Sequence, residues 1–422
     1  MRLESGSNPR AAQCPVTGIG REFDPFVDPY LSDPYAFWIR ARAAEPVFYS
    51  PELNYWVVTR YEDIKAVFSD PKTFSASNAQ TPITPLAPQV LEMLQTGGFK
   101  AKPVMSNADP PVHTRIRKFT WQAFTPKRIA QLEPEVRRLV SRFLDQIAGS
   151  HRVDLVRDMF YELPVLVLFI FLGMPEEDVA RVKTWSRHRL MLTWGRLSAE
   201  QQMVEAKGLL EYWLYTETYV RSLLADPPDN YVGELIRASR ENETELSIHE
   251  ITNVVYGLLI AGHETTTTMS ANAILQLLQH RDVWERLCTD PRAIPNVVEE
   301  LLRFDSSVIT WRRKTVQAVE LAGVQLPEGA NLLLALCSGN RDDAHFPEPE
   351  RFDPARENAK THLSFGFGIH YCLGAPLARL ELRVILEELT RRMPSLRLAS
   401  GQSWQFQPNT SFRGPAQLWV EW

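Results

Sequence analysis

The decapeptide Phe365-Gly366-Phe367-Gly368-Ile369-His370-Tyr371-Cys372-Leu373-Gly374 constrains this chain more than any other stretch. It sets one cysteine between a glycine-punctuated segment and an amphipathic pattern in which Leu377, Leu380, Val384 and Leu389 recur at helical spacing. Gly366 and Gly368 admit backbone angles closed to other residues and allow close approach to a ligand. Residues 361–364 read as a short strand end. Cys372 is therefore predicted to lie where free backbone N–H groups and the positive end of a helix dipole converge, a setting that stabilises a thiolate. Most lone cysteines are instead small buried apolar residues. A zinc site or a cysteine hydrolase does not fit, because His370 and Cys372 stand too close to share one metal and the chain has no Cys-x-x-Cys pair.

A chain of 422 residues is long enough for about three domains, yet no Gly/Ser linker, charge block or low-complexity tract divides it. The expected fold is mainly α with small β-sheets, an α+β chain forming one large domain over 1–422, with residues 1–20 flexible. A net charge of -5 gives no sign of nucleic-acid binding. The polar start has no apolar segment of signal-peptide type. The longest apolar run, 163–174, carries Pro164 and Gly173 and falls short of the ~20 residues that span a membrane, so it reads as a core helix. Cys14, Cys288, Cys337 and Cys372 have no disulfide-framework spacing, which fits a reducing cytoplasm. Cys288 in a helical pattern and Cys337 in an apolar strand read as packing residues.

Asp-Pro turns at Asp24-Pro25, Asp28-Pro29, Asp33-Pro34 and Asp70-Pro71 punctuate short N-terminal helices. Val47-Phe48-Tyr49 and Tyr55-Trp56-Val57-Val58-Thr59 form a predicted hairpin. Residues 78–109 are Pro-rich, broken by Gly97-Gly98, and read as a lid or binding loop. From Val112 to about Leu302 helix follows helix, short strands return over 308–336, and 340–361 is a polar meander expected to pack under the cysteine loop.

Three further motifs carry chemistry. A helix of about 33 residues, roughly 50 Å long, is predicted from Ser247 through Gln279. Its middle, Ala261-Gly262-His263-Glu264 followed by Thr265 to Thr268, weakens the helix through backbone entropy and restricted side chains. A hydroxyl or a water can break the hydrogen-bond ladder there and open a groove. Glu300-Leu301-Leu302-Arg303 places an acid and a base on one helix face. His113 and Arg117, four residues apart, share another face and suit a dianionic partner.

Taken with the decapeptide, these stretches resemble the cytochrome P450 family, whose haem-thiolate signature Phe-Gly-x-Gly-x-His-x-Cys-x-Gly is filled at every fixed position. The likeness runs from Phe23-Asp24-Pro25 to the C-terminal strands. Stretches such as Trp56-Val57-Val58-Thr59-Arg60 and Pro408-Asn409-Thr410-Ser411-Phe412-Arg413 are most similar to the haem domain of bacterial self-sufficient members fused to a phthalate-dioxygenase-type reductase. The resemblance implies the P450 fold, with haem b between the long central helix and the cysteine-bearing helix and Cys372 as axial ligand. It assigns Thr265 and Glu264 to oxygen activation and proton relay, and His113, Arg117, His370, Phe365 and Arg313 to haem binding. Arg312 beside Arg313 leaves the register of the strand arginine open, and Trp311 stands where some relatives carry a polar residue. Glu300, Arg303 and Arg351 are implied as a structural ion-pair network. Leu258, Leu259, Gly262, Leu190, Met191, Trp194, Ile309, Thr310, Ser411 and Phe412 are implied to line a pocket for a small apolar, aromatic or alkyl substrate.

The implied activity is a haem-thiolate monooxygenase that uses O2 and receives electrons from NAD(P)H only through redox partners. No segment of the chain resembles a reductase, so a ferredoxin with its reductase, or the flavin-[2Fe-2S] reductase of a fusion from which this domain is excised, is the expected partner. Arg115, Lys118 and Arg379 are its candidate contacts. A peroxide-driven peroxygenase and a non-catalytic haem sensor are the rival readings. The Glu264-Thr265 pair argues against both.

Overall fold

The computed structural model describes residues 16–422. Cys14 lies outside this range, and so does most of the N-terminal stretch expected to be flexible. Gly18–Glu22, which begins inside that stretch, forms a short helix capped by the Thr17 hydroxyl.

Helices dominate. The hairpin forms as read, with Val47–Ser50 antiparallel to Tyr55–Val58. Its second strand pairs in parallel with Asn331–Leu334, which pairs antiparallel with Trp311–Thr315. Phe74–Ser75 completes this five-stranded sheet. The register sets Arg313 opposite Leu332 and Trp311 opposite Leu334, so the strand carries these two side chains on one face and Arg312 on the other. Arg152–Asp154, Trp419–Glu421 and Arg397–Leu398 make a second sheet, tying the C-terminal end to the middle of the chain.

The apolar run folds as the buried helix Leu163–Leu172, and Gly173 ends it at φ 74, a left-handed angle that glycine adopts without strain. It lies in the large helical core with Ile274, Leu301 and Leu386. A separate aromatic cluster of Phe23, Tyr30, Phe37, Trp38 and Phe48 seals the N-terminal part against the sheet.

Four local expectations change. The 78–109 segment contains a helix, Pro88–Thr96, because Val90 and Leu94 are buried on one face of a four-residue spacing. Residues 361–364 are not a strand end; a single 3-10 turn, Ala359–Thr361, precedes them. Cys337 lies in the short helix Leu336–Gly339, one step beyond the strand. The long central helix is two helices, Ile248–Ala261 and Glu264–Gln279, with Gly262 and His263 between them. The weakness read at that point is therefore a complete interruption.

Candidate active site

The cysteine loop is fixed by glycine geometry and by a network beneath it. Gly366 and Gly368 take φ 70 and 69. A Cβ on Gly368 would stand 2.5 Å from the Phe68 carbonyl oxygen, so the loop closes on that backbone only with glycine. Cys372 N–H donates to Phe365 O at 3.0 Å, turning the sulfur toward the N-terminus of the helix Ala375–Arg392. Phe365 packs beside the loop with the Arg379 guanidinium 4.6 Å from its ring.

Behind the loop, Arg303 donates to both carboxylate oxygens of Glu300, at 2.7 and 2.8 Å, and to the carbonyls of Asn340 and Pro349. The third member of this network is Arg356, whose Nε lies 3.2 Å from Glu300 Oε1. Arg351 does not fill that place. Its side chain is exposed beside Glu348, and only its backbone carbonyl takes part, accepting from Arg303 and Arg356. The meander turns back far enough for position 356, five residues later, to enter the core. Asn340 extends the network to the loop by accepting from Leu363 N–H and donating to the Ser364 hydroxyl.

Cys372 is solvent-exposed, yet desolvation by the atoms around the thiol is the largest influence on it and pushes its pKa up. The N–H groups of Gly374 and Ala375 and the charges of Arg117 and Arg379 pull the other way. That set favours a thiolate once a cation shares the site.

Next to the cysteine, four nitrogen-bearing side chains converge with too few acceptors. Among the described residues, buried His113 has both ring nitrogens unpaired, and the Nε2 of His370 is unpaired as well. The two rings lie 4.2 Å apart. Burial, then Arg117, lower the His113 pKa to about 4, and burial, then Arg313, lower that of His370 to about 2. Arg313 is buried, donates only to the neighbouring Arg312 carbonyl, and is lowered to about 10 by burial. Arg117 donates to the Tyr371 carbonyl. Buried donors left without acceptors are costly, and this group fits the two carboxylates of a haem. Arg312, on the other face of the strand, donates to the Ala79 and Thr81 carbonyls, and of the two arginines it is Arg313 that lies beside His370.

At the interruption of the central helix, the Thr265 hydroxyl donates to Ala261 O at 3.1 Å. Gly262 is tightly enclosed, since a Cβ there would meet Leu168 at 2.9 Å. Glu264 opens the second helix and is held by two groups the sequence reading did not pair with it. Lys183 Nζ lies 3.1 Å from Glu264 Oε1, and so does His263 Nε2; both partners are fully buried. Burial raises the Glu264 pKa, but the charge of Lys183 and the bond to His263 outweigh it and bring it to about 2. Burial draws Lys183 below the ordinary lysine range, opposed by Glu264. The available signal was a lysine at a core-facing position of its helix, between Val179 and Ser186.

Beside this break, Leu190, Trp194 and Ile260 form a small buried cluster against which Met191, Trp311 and Phe412 pack. Leu258 and Leu259 belong instead to the large helical core, and Ile309 to the N-terminal aromatic cluster. The Thr310 hydroxyl is engaged, donating to the Thr410 carbonyl at 2.6 Å. Of the expected docking cations, Arg115 is paired with Glu250 and Arg379 with Glu299. Lys118 has no ion pair among the described residues, and Phe367, Ile369 and Tyr371 are exposed around the cysteine loop.

A family model described as cytochrome P450 matches residues 48–394. The chain is 34% identical to "Cytochrome P450 107B1" of Saccharopolyspora erythraea over 400 residues, covering 93% of this chain and 96% of that protein. Among solved structures it is similar to cytochrome P450 CREJ in complex with (4-ethylphenyl) dihydrogen phosphate, with TM-score 0.92 and 41% identity, covering 96% of this chain and all of that one. It also superposes on an intact type IV self-sufficient cytochrome P450 monooxygenase with TM-score 0.93 and 42% identity, covering 97% of this chain and 54% of that one. With the fold, the cysteine loop and the family model in agreement, this chain belongs to the cytochrome P450 family and is a haem-dependent monooxygenase.

Proposed function

We propose that the chain hydroxylates, or oxidatively dealkylates, a small apolar substrate of aromatic or alkyl type, with electrons from a separate iron-sulfur partner. The observation that carries the reading is the convergence of Cys372 with the unpaired ring nitrogens of His113 and His370 and the buried guanidinium of Arg313, which has no carboxylate partner among the described residues. Haem b, when bound, supplies the activation of O2 that places one oxygen atom in substrate and releases the other as water.

The protein's own groups have separable tasks in this reading. Cys372 would hold the iron through its thiolate. His113, Arg117, His370 and Arg313 would hold the propionates, with Phe365 packed against the loop. Thr265 uses its O–H on Ala261 O, which leaves its oxygen free to accept from a proton-bearing water at the helix break. Glu264, kept ionised by Lys183 and His263, is placed one residue away to relay protons toward that water. Leu190, Trp194, Ile260 and Phe412 would enclose the substrate body. The aryl ligand of the similar solved structure supports an aromatic one. For the redox partner we infer a docking face made less of paired arginines than of Lys118 and the exposed loop residues Phe367, Ile369 and Tyr371.

Cys372→His tests the ligation. The ferrous-CO complex of the parent chain should show the red-shifted Soret band of thiolate ligation, and the variant should lack it. Survival of the band in the variant would refute the assignment.

A further inference from the structure

Resting on the substrate pocket proposed above, we infer that the substrate is an anion, and that the indole N–H of Trp194 and the guanidinium of Arg312 receive its charged group. Trp194 is 2% exposed, and its Nε1 has no hydrogen-bond partner among the described residues. It belongs to the otherwise apolar cluster with Leu190 and Ile260. Two other buried indoles, those of Trp38 and Trp213, are also unpaired, but they belong to the N-terminal and helical cores. Of these three unpaired indoles, that of Trp194 is the one at the proposed pocket.

The charge lies beside it. The Arg312 guanidinium is 5.7 Å from the Trp194 ring centroid and is 1% exposed. Its guanidinium partners are the backbone carbonyls of Ala79 and Thr81 and the Tyr55 hydroxyl, all of them neutral. A second buried guanidinium, Arg189, donates to the Tyr256 carbonyl and the Gln80 side-chain oxygen. Residues 79–81 are thus gripped by two cations from two different elements. Neither cation has a carboxylate within 4.0 Å among the described residues, whereas the buried Arg303, Arg341 and Arg356 each face one.

Neutral carbonyls satisfy guanidinium geometry but leave its charge uncompensated, which is expensive away from water. An anionic oxygen on the ligand supplies both the acceptor that Trp194 lacks and the charge that Arg312 lacks. The pocket then takes an apolar body ending in a carboxylate or a phosphate monoester.

The experiment titrates the haem-loaded protein with matched pairs, 4-ethylbenzoate against 4-ethylbenzamide and 4-ethylphenyl phosphate against 4-ethylphenol. Binding is followed by the low-to-high-spin shift and by calorimetry at low ionic strength. At least one anion should bind about 10-fold or more tighter than its neutral partner, and the stronger of the two anions identifies the headgroup. Trp194→Phe and Arg312→Gln should each cost that anion about 10-fold more than they cost its neutral partner. Should Arg312→Gln fail to load haem, Trp194→Phe carries the test alone. Equal or tighter binding of both neutral partners, no response to either anion, or equal losses for charged and neutral ligands in the variants each overturn the inference. All three leave the family reading standing if the thiolate-type ferrous-CO band is intact, and only loss of that band in the parent chain strikes the proposed function itself.

Discussion

Lys183→Met removes the charge that holds Glu264 ionised while nearly conserving volume. Lys183 is fully buried and the Glu264 side chain is 18% exposed, so solvent screens the 3.1 Å pair little. With Lys183 present, the Glu264 pKa stands at about 2 instead of 4.5. Without it, burial acts against His263 alone, and the pKa should rise past 4.5. A change of about 2.5 units corresponds to about 3 kcal/mol at roughly 1.36 kcal/mol per unit, within the roughly 3 to 5 kcal/mol expected when one partner of a buried pair is removed. The sign follows from linkage. A carboxyl with a depressed folded pKa contributes stability that is fully present above pH 4.5 and is lost as pH falls toward 2. Urea unfolding of the parent chain should therefore lose about 3 kcal/mol over that window beyond what other groups impose, and Lys183→Met should not. At neutral pH the net cost should be smaller, because the variant also sheds the desolvation of a buried lysine. Coupling of NAD(P)H consumption to product should fall in Lys183→Met and recover in part in Lys183→Arg. Parallel acid limbs for parent and variant, with unchanged coupling, would refute the claim that Lys183 sets the protonation of Glu264.

Thr265→Ala should leave haem loading and substrate binding nearly intact but divert reducing equivalents to peroxide or water. The productive step loses on the order of 100-fold to 10,000-fold; Thr266→Ala, at a buried neighbouring position, is the control in a product-per-NAD(P)H assay. Arg356→Ala should destabilise the chain by roughly 3 to 5 kcal/mol because it strips a partner from buried Glu300, while Arg351→Ala should cost under about 1 kcal/mol. Denaturant midpoints distinguish these, and equal effects would restore Arg351 to the network. Gly368→Ala should cost about 1 to 3 kcal/mol in backbone strain and impair haem loading, since its Cβ would meet the Phe68 carbonyl. Gly366→Ala, whose nearest contact is 4.0 Å away, should load more haem than Gly368→Ala.

The cysteine loop, the hairpin, the buried apolar helix and the Glu300/Arg303 pair were legible in the sequence because each is local. Positive-φ glycines, β-branched runs and i,i+3 spacing act within a few residues of chain. The family likeness rests on the same short-range patterns. What the sequence could not show were partners brought together from afar. Lys183 reaches Glu264 across 81 positions, Arg356 displaces Arg351 from Glu300 because of the path of the meander, and Arg312 and Arg313 separate onto opposite faces of one strand through pairing with Asn331–Leu334. Burial likewise sorted the proposed pocket, sending Leu258 and Leu259 to the helical core and Ile260 to the cluster with Trp194. Charge pairing and side-chain burial depend on distances through space, and those exist only once helices and sheets have packed.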